Sequence, residues 1–265
     1  MKNFIVVSLF LFLVNGCANH TSPEPEVKTP SAYTESEQNG NDGFMDEFDD
    51  EFTEKEKVSD PLIVYNRSMT TFNDKAYLYI IKPVSQLYAA IMPEFLRLGI
   101  SNAYHNIKFP VRFTNTLLQL KLQGSMIELE RFIVNSTIGL AGLMDPAEEH
   151  MGLEPQEEDF GQTLGVYGVG PGFHLVLPLI GPSNIRDTIG LGADSLVSPL
   201  IYTKNMDRYK IPDNYPESAM IWAVDKINYN SLHLGEYESA KKDAVDWYIF
   251  LRNAYEKERS HSISQ

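Results

Sequence analysis

The chain of 265 residues holds a single cysteine, Cys17. No disulfide can form within it, so packing and hydrogen bonding must stabilise whatever it folds into. Positive charge is also scarce: 22 Lys and Arg stand against 36 Asp and Glu, a net charge of −14. That balance argues against nucleic-acid binding, which needs a basic face for phosphates. Nothing in it draws the chain to anionic headgroups either. Long apolar runs are missing too, and the run from Phe4 to Val14 falls well short of the roughly 20 residues a spanning helix needs.

The surroundings of Cys17 are informative. Met1-Lys-Asn3 supplies a positive charge, Phe4–Val14 an apolar stretch and Asn15-Gly16 a small-residue junction, which are the parts of a secretory signal peptide. A cysteine directly after the cleavage point resembles the bacterial lipobox. Residues 1–16 are therefore expected to be the signal and Cys17 to be acylated, although Val14 and Asn15 depart from the Leu and Ser or Ala usual there. Each buried methylene of an acyl chain contributes about 0.8 kcal/mol, so several chains on one cysteine anchor a protein durably. Ala18 stands where lipoproteins kept in the inner membrane commonly carry Asp, which favours the outer membrane.

Residues 17–58 read as a tether. Between Glu24 and Lys57, 12 acidic residues against 3 basic ones account for −9 of the net charge. Low hydrophobicity with like charge predicts disorder. Phe44, Phe48 and Phe52 recur every four residues there, so a short binding helix stays open as an alternative to a solvated linker.

A single helical domain is expected over 59–257, with a polar tail at 258–265. Asp60-Pro61 reads as a helix N-cap followed by the first helical residue. Leu62, Tyr65, Met69, Phe72 and Ala76 then share one helical face, and Pro83 is expected to interrupt or kink the run. Further helices open at Pro93 and Pro110, and another spans Leu122 to Ile138 with Met126, Leu129 and Ile133 as its stripe. Each stripe reads as core. Tyr237, Ala240, Ala244, Tyr248, Leu251 and Tyr255 read as one amphipathic helix packed on the body.

Two segments break this texture. The thirteen residues from Phe132 to Met144 hold only Asn135, Ser136 and Thr137 as polar groups. A helical hairpin dipping partway into lipid and a buried core hairpin fit equally well. Residues 160–182 are crowded with glycine and proline, so no long helix is expected there. Such a segment wraps a surface or lines an opening, with Leu175–Leu177 as a short extended piece.

Catalytic chemistry finds no support. None of the six histidines has the spacing of a zinc helix motif, and Glu148-Glu149-His150 reads as a surface cluster. Asp159-Phe-Gly161 matches a kinase tripeptide without the motifs that accompany it. Gly168-Val-Gly170-Pro-Gly172 lacks the third-glycine spacing of a dinucleotide fingerprint, and no Gly-x-Ser-x-Gly occurs. We expect a non-enzyme without metal, cofactor or catalytic residues.

Taken in order, these segments resemble the MlaA (VacJ) family of outer-membrane lipoproteins. The resemblance begins at Ser59-Asp-Pro-Leu62, Asn66-Arg67, Phe72-Asn73 and Gly99-Ile-Ser-Asn102. It is strongest in Arg131-Phe-Ile-Val-Asn-Ser-Thr-Ile-Gly-Leu140 with Asp145, and in Asp159-Phe-Gly-Gln-Thr-Leu-Gly-Val-Tyr-Gly-Val-Gly-Pro-Gly172. Leu177-Pro178, Gly181-Pro-Ser183 and Arg186-Asp187 follow, with a weaker echo at Asp246-Trp-Tyr248, Arg252 and Tyr255. Trp247 replaces a usual proline and His174 a common tyrosine.

The resemblance implies a mostly α, ring-like body with little β structure, lying in one leaflet of the outer membrane on its periplasmic face. Its implied work is to take mislocalised phospholipid from the outer leaflet and pass it through an amphipathic channel. The implied partners are phospholipid, a soluble periplasmic carrier of the MlaC kind and a trimeric porin. Phe132, Ile133, Asn135, Ile138, Leu140, Leu143 and Met144 would form the hairpin beside the channel. Asp159, Phe160, Gly161, Gly168, Gly170 and Gly172 would build its wall. Arg186 and Asp187 would support the ring as an ion pair, the preferred reading, or Arg186 would meet phosphate. The alternative function is an envelope scaffold that organises porins without handling lipid; a lipid hydrolase ranks last.

Overall fold

The computed structural model describes residues 59–204 and 207–265. The expected signal peptide, Cys17 and the tether through residue 58 lie outside the described residues.

Helix α1 (Ile63–Ala76) passes through a π turn, Tyr77–Ile81, directly into α2 (Lys82–Ile91). Pro83, expected to interrupt or kink this run, sits in the first turn of α2, just past the π turn that distorts the helix. A proline lacks an N–H and crowds the carbonyl four residues back, and the widened π turn just before it absorbs that misfit. Asp60 does not cap α1, which has no side-chain cap. Its carboxylate instead accepts hydrogen bonds from Asn66 at 2.8 Å, from Arg252 at 3.3 Å and from the Tyr248 hydroxyl, which ties this first turn to the C-terminal helix.

The proline-led helices α3 (Glu94–Ile107) and α4 (Phe109–Leu118) follow as the spacing predicts, and then α5 (Leu122–Thr137). Two short helices, α6 (Pro146–Met151) and α7 (Phe160–Val166), are each N-capped by the aspartate before them, Asp145 and Asp159. A two-stranded antiparallel hairpin comes next, β1 (His174–Leu177) against β2 (Gly181–Asn184), with His174 opposite Asn184. The expected extended piece is thus strand β1. Its other edge is closed by α1, where Asn66 and Asn73 lie seven residues apart on one face. Asn66 donates to the His174 carbonyl at 3.0 Å and accepts from Val176 N at 2.9 Å. Asn73 does the same for the Leu177 carbonyl and Leu179 N at 2.9 and 2.7 Å.

The remainder is α8 (Ile185–Val197), a 3-10 turn (Asp207–Tyr209), α9 (Tyr215–Leu232), α10 (Glu236–Asp243) and α11 (Trp247–Ser264). The stripe from Tyr237 to Tyr255 is therefore two helices, because Asp246 caps α11 by accepting from Ile249 N at 3.1 Å. No frayed tail follows Lys257, since α11 runs on to Ser264.

The largest departure from expectation concerns which side faces in. Among the described residues only seven apolar side chains other than proline are buried, against twenty-five polar or charged ones. Several large members of the stripes read as core point outward: Tyr65 is 40%, Phe72 50%, Met126 55% and Ile133 52% exposed. On α5 the inward face is Ser125, Glu128, Arg131 and Asn135 instead. The body is polar within and apolar without, the reverse of a water-soluble domain.

Candidate functional site

The turn after α5 is the most constrained stretch of backbone. Leu140, Ala141 and Gly142 all adopt left-handed conformations, with φ of 53°, 60° and 89°. For the two residues bearing a Cβ this costs about 1–2 kcal/mol each. Gly142 is required here on two grounds, because a Cβ would also meet the Asn106 amide at 2.6 Å.

Buried polar groups hold this turn in place. Asn135, inside the body, donates to Asp145 at 2.8 Å and accepts from Ala147 N at 3.2 Å. Arg131, nearly fully buried, bridges Asp145 and the Leu153 carbonyl. Burial works to raise the Asp145 pKa, but hydrogen bonds from Asn135 and Glu148 N and the charge of Arg131 outweigh it and hold it below the usual range. Asn102 reaches the Leu143 carbonyl at 3.3 Å, and Asn106 the Ser136 hydroxyl at 3.0 Å.

The apolar residues of the same turn are turned out. Ile138 is 69% and Leu140 63% exposed, and Leu143, Met144 and Ile133 are exposed as well. Phe132 stacks on Phe109 at 4.4 Å. The expected helical hairpin is a helix end and a strained turn, and its apolar side chains are not core.

The segment from Asp159 to Gly172 is anchored at one end and open at the other. Phe160 N donates to Asp194 at 3.1 Å, and Asp159 receives two hydrogen bonds from Arg259, at 2.6 and 2.8 Å. Gly161 lies in the crossing of α7 and α8, where a Cβ would meet Asp187 Oδ1 at 2.4 Å. Gly168, Gly170 and Gly172 are exposed. Arg186 is buried and donates to Asp187 at 2.9 Å and to the Val169 carbonyl at 3.4 Å.

Asp187 gathers more partners than the sequence foretold. Asn184 and Tyr255 donate to it at 2.8 Å, and Arg259 at 3.0 and 3.1 Å. Burial opposes its ionisation, yet the hydrogen bonds from Arg186 and Arg259 win and lower its pKa. Desolvation and the Asp187 charge together push the Tyr255 hydroxyl well above its ordinary value.

A second buried network joins α4, α5, α7 and α8. Arg112 pairs with Glu128 at 2.8 Å, and Glu128 also accepts from Gln156 N. Asn115 links Asp194 at 2.8 Å to Thr163 at 3.0 Å, and Gln119 joins Glu158 at 2.7 Å. Sequence reasoning missed these residues because their partners lie on other segments, far away in the chain.

Other chemistry is thin. Among the described residues no three His, Cys, Asp or Glu side chains group as a metal site requires. A cleft of 230 Å³ opens between Arg67, Thr71, Asp74, Lys241 and Trp247. Its charges are already matched, Arg67 to Asp246 and Lys241 to Asp74. No helix among the described residues is long and apolar enough to cross a membrane.

Fold and site together define a helical protein with a networked polar interior, an apolar exterior and a strained apolar turn between α5 and α6. Residues 58–262 match the MlaA lipoprotein family, and the chain belongs to it. It is 31% identical over 208 residues to the intermembrane phospholipid transport system lipoprotein MlaA of Escherichia coli, covering 77% of this chain and 78% of that one. An uncharacterized protein of Rickettsia bellii is 33% identical over 210 residues, 78% of each chain. A solved structure described as "Structural basis for maintenance of bacterial outer membrane lipid asymmetry" superposes with a TM-score of 0.65 at 33% identity. The match covers 77% of this chain and 99% of that chain.

Proposed function

We propose that this chain is an outer-membrane lipoprotein, acylated at Cys17, that maintains lipid asymmetry by moving phospholipid without covalent chemistry. The observation that carries the reading is the inverted burial. Apolar surface facing water is unfavourable by about 25 cal/mol per Å², so a body with this exterior is suited to an apolar surrounding. No helix among the described residues is long and apolar enough to cross a bilayer, and on this reading the body lies within one leaflet.

Phospholipid would leave the outer leaflet past the turn of Ile138, Leu140, Leu143 and Met144. It would descend beside the wall of Asp159–Gly172 and reach a soluble periplasmic carrier. The backbone strain at Leu140 and Ala141 supports a functional turn, since such strain persists where structure over-determines it. Asp159, Gly161, Arg186 and Asp187 would hold the wall in shape. Exposed apolar faces would also seat a trimeric porin.

Photoreactive side chains at Ile138 and Leu143 in living cells test this. Phospholipid adducts there, and none at the exposed control Lys242, are expected. Adducts to protein alone would favour the scaffold that organises porins without handling lipid.

A further inference from the structure

The Gly99-Ile-Ser-Asn102 motif of α3 has no part in the transport path described above. Gly99, Asn102 and Asn106 follow one another at spacings of three and four, which places them on one face of the helix. That face carries the turn after α5. Gly99 is buried, and a Cβ on it would lie 3.4 Å from the Leu143 carbonyl oxygen and 3.9 Å from the Leu143 Cβ. The Asn102 amide reaches the Leu143 carbonyl at 3.3 Å, and the Asn106 amide the Ser136 hydroxyl at 3.0 Å. Helix α3 is itself held by α9, where Asn228 donates to the Arg97 carbonyl at 2.9 Å and Arg97 to the Ser231 hydroxyl at 3.1 Å. It is a fixed post on which the turn is seated.

The two amide contacts differ in kind. Asn106 is buried and bonds the α5 end of the turn. Asn102 is reached by solvent, and its bond is the longer one. Among the described residues no other donor serves the Leu143 carbonyl. Within itself the turn is a closed unit: Gly142 N donates to the Asn135 carbonyl at 2.7 Å, Ala141 N to that of Ser136 at 3.2 Å and Met144 N to that of Gly139 at 2.9 Å. Both of its ends are pinned, Ser136 by Asn106 and Asp145 by Arg131 and Asn135. Movement is thereby confined to the apolar rim of Leu140 and Leu143. A single neutral hydrogen bond that water can replace contributes little net free energy, so the seated and lifted positions of this rim lie close in energy.

We infer that Asn102 is a positioning residue for transport: its amide holds the rim of Leu140 and Leu143 on α3, and phospholipid passes only when the rim leaves that seat. The inference rests on the transport reading above. Gly99 completes the seat, because the absence of a side chain there leaves the Leu143 edge in contact with the helix. Asn106 stays bonded throughout and serves as the pivot. The division of labour follows from burial: the bond away from water persists, and the bond at the solvent edge exchanges with water.

The test uses the full-length protein, with Cys17 retained, in living cells under mild oxidation. Gly99→Cys with Leu143→Cys places two Cβ atoms 3.9 Å apart, inside the range of about 3.5–4.5 Å that a disulfide takes. Peptide mass spectrometry follows the bridge, and a membrane-impermeant amine reagent measures phosphatidylethanolamine in the outer leaflet. With the bridge formed, surface phosphatidylethanolamine should rise to the level of a strain lacking the protein, and reductant should return it to that of the wild type. Each single-cysteine variant should match the wild type throughout. Asn102→Leu added to the pair should slow bridge formation about threefold or more, the effect of one lost hydrogen bond. A bridged protein that still clears the lipid would overturn the inference and leave the transport reading intact. An unchanged rate of bridging without Asn102 would remove its positioning role, and a pair that never bridges would show that the turn does not sit on α3. Surface lipid that reductant fails to lower would make the contact structural and end the inference. A strain lacking the protein that gains no surface phosphatidylethanolamine would overturn the transport reading, and the inference with it.

Discussion

Arg259 shows how much a single residue holds here. It lies in α11, beyond the point where the sequence reads as polar tail, and it bonds Asp159 and Asp187 together. Desolvation would lower its pKa, but the two carboxylates overcome that and raise it. Replacing Arg259 by Gln leaves Asp187 with a buried, under-compensated charge, and breaking such a pair costs about 3–5 kcal/mol. Denaturant unfolding in detergent micelles should show a loss of at least 2 kcal/mol or so on this account; a loss indistinguishable from zero would mean that Tyr255 and Arg186 suffice. Truncation after Lys257 should have the same effect. A lone arginine among polar residues carries no local signal of its partners, and its nearest relevant carboxylate is 72 residues away. Asp145 and Asp159 likewise stand in the sequence reading only as motif residues, and their capping of two short helices emerged from the structure.

Between elements, the crossing of α7 and α8 is the tightest contact. A Cβ on Gly190 would lie 2.5 Å from Gly161 N, which is backbone and cannot rotate away. Gly192 lies one half-turn on, in the same helix, with nothing within 4 Å. Gly190→Ala should therefore destabilise by about 1–3 kcal/mol through overpacking. Gly192→Ala should be neutral or stabilise by up to about 1 kcal/mol, since Ala is the better helix former. Paired thermal melts decide this, and equal melting of the two variants would show that the helices separate freely. The glycine content of this segment was visible from sequence, and it correctly ruled out a long helix. Which glycine makes a helix crossing and which merely turns the chain was not visible, because that depends on the neighbour across the gap.

For the whole molecule, acid should loosen the fold. Asp145, Asp187 and Glu157 have folded-state pKa values below their ordinary 3.8, 3.8 and 4.5. A carboxylate lowered on folding contributes stability that is complete above its unfolded value and is lost as pH falls through the folded one. Stability should hold flat with respect to these groups above about pH 5 and fall between there and about pH 2. Melting followed by circular dichroism across that range checks it; a flat profile would mean the ion pairs are not formed. The exterior makes a second prediction. A variant with Cys17→Ala, which removes the proposed acylation site, should still enter the detergent phase in Triton X-114 partitioning, and recovery in the aqueous phase would contradict an apolar surround.

The sequence by itself determined the helices, since proline placement and 3.6-residue periodicity are local properties. Its linked motifs, from Ser59 to Asp187, also carried the family. What periodicity cannot contain is direction. The stripe of Met126, Leu129 and Ile133 and the opposite row of Ser125, Glu128, Arg131 and Asn135 define two faces of α5, and nothing local says which is inside. Only the tertiary structure decided that, by bringing Asn115 to Asp194, Arg112 to Glu128 and Arg259 to Asp187. Polar groups on different helices satisfy one another in the interior, and the apolar faces are left to meet what surrounds the protein. Partners far apart in the chain carry no signal in either segment alone, so the inversion of inside and outside emerges only when the helices are assembled.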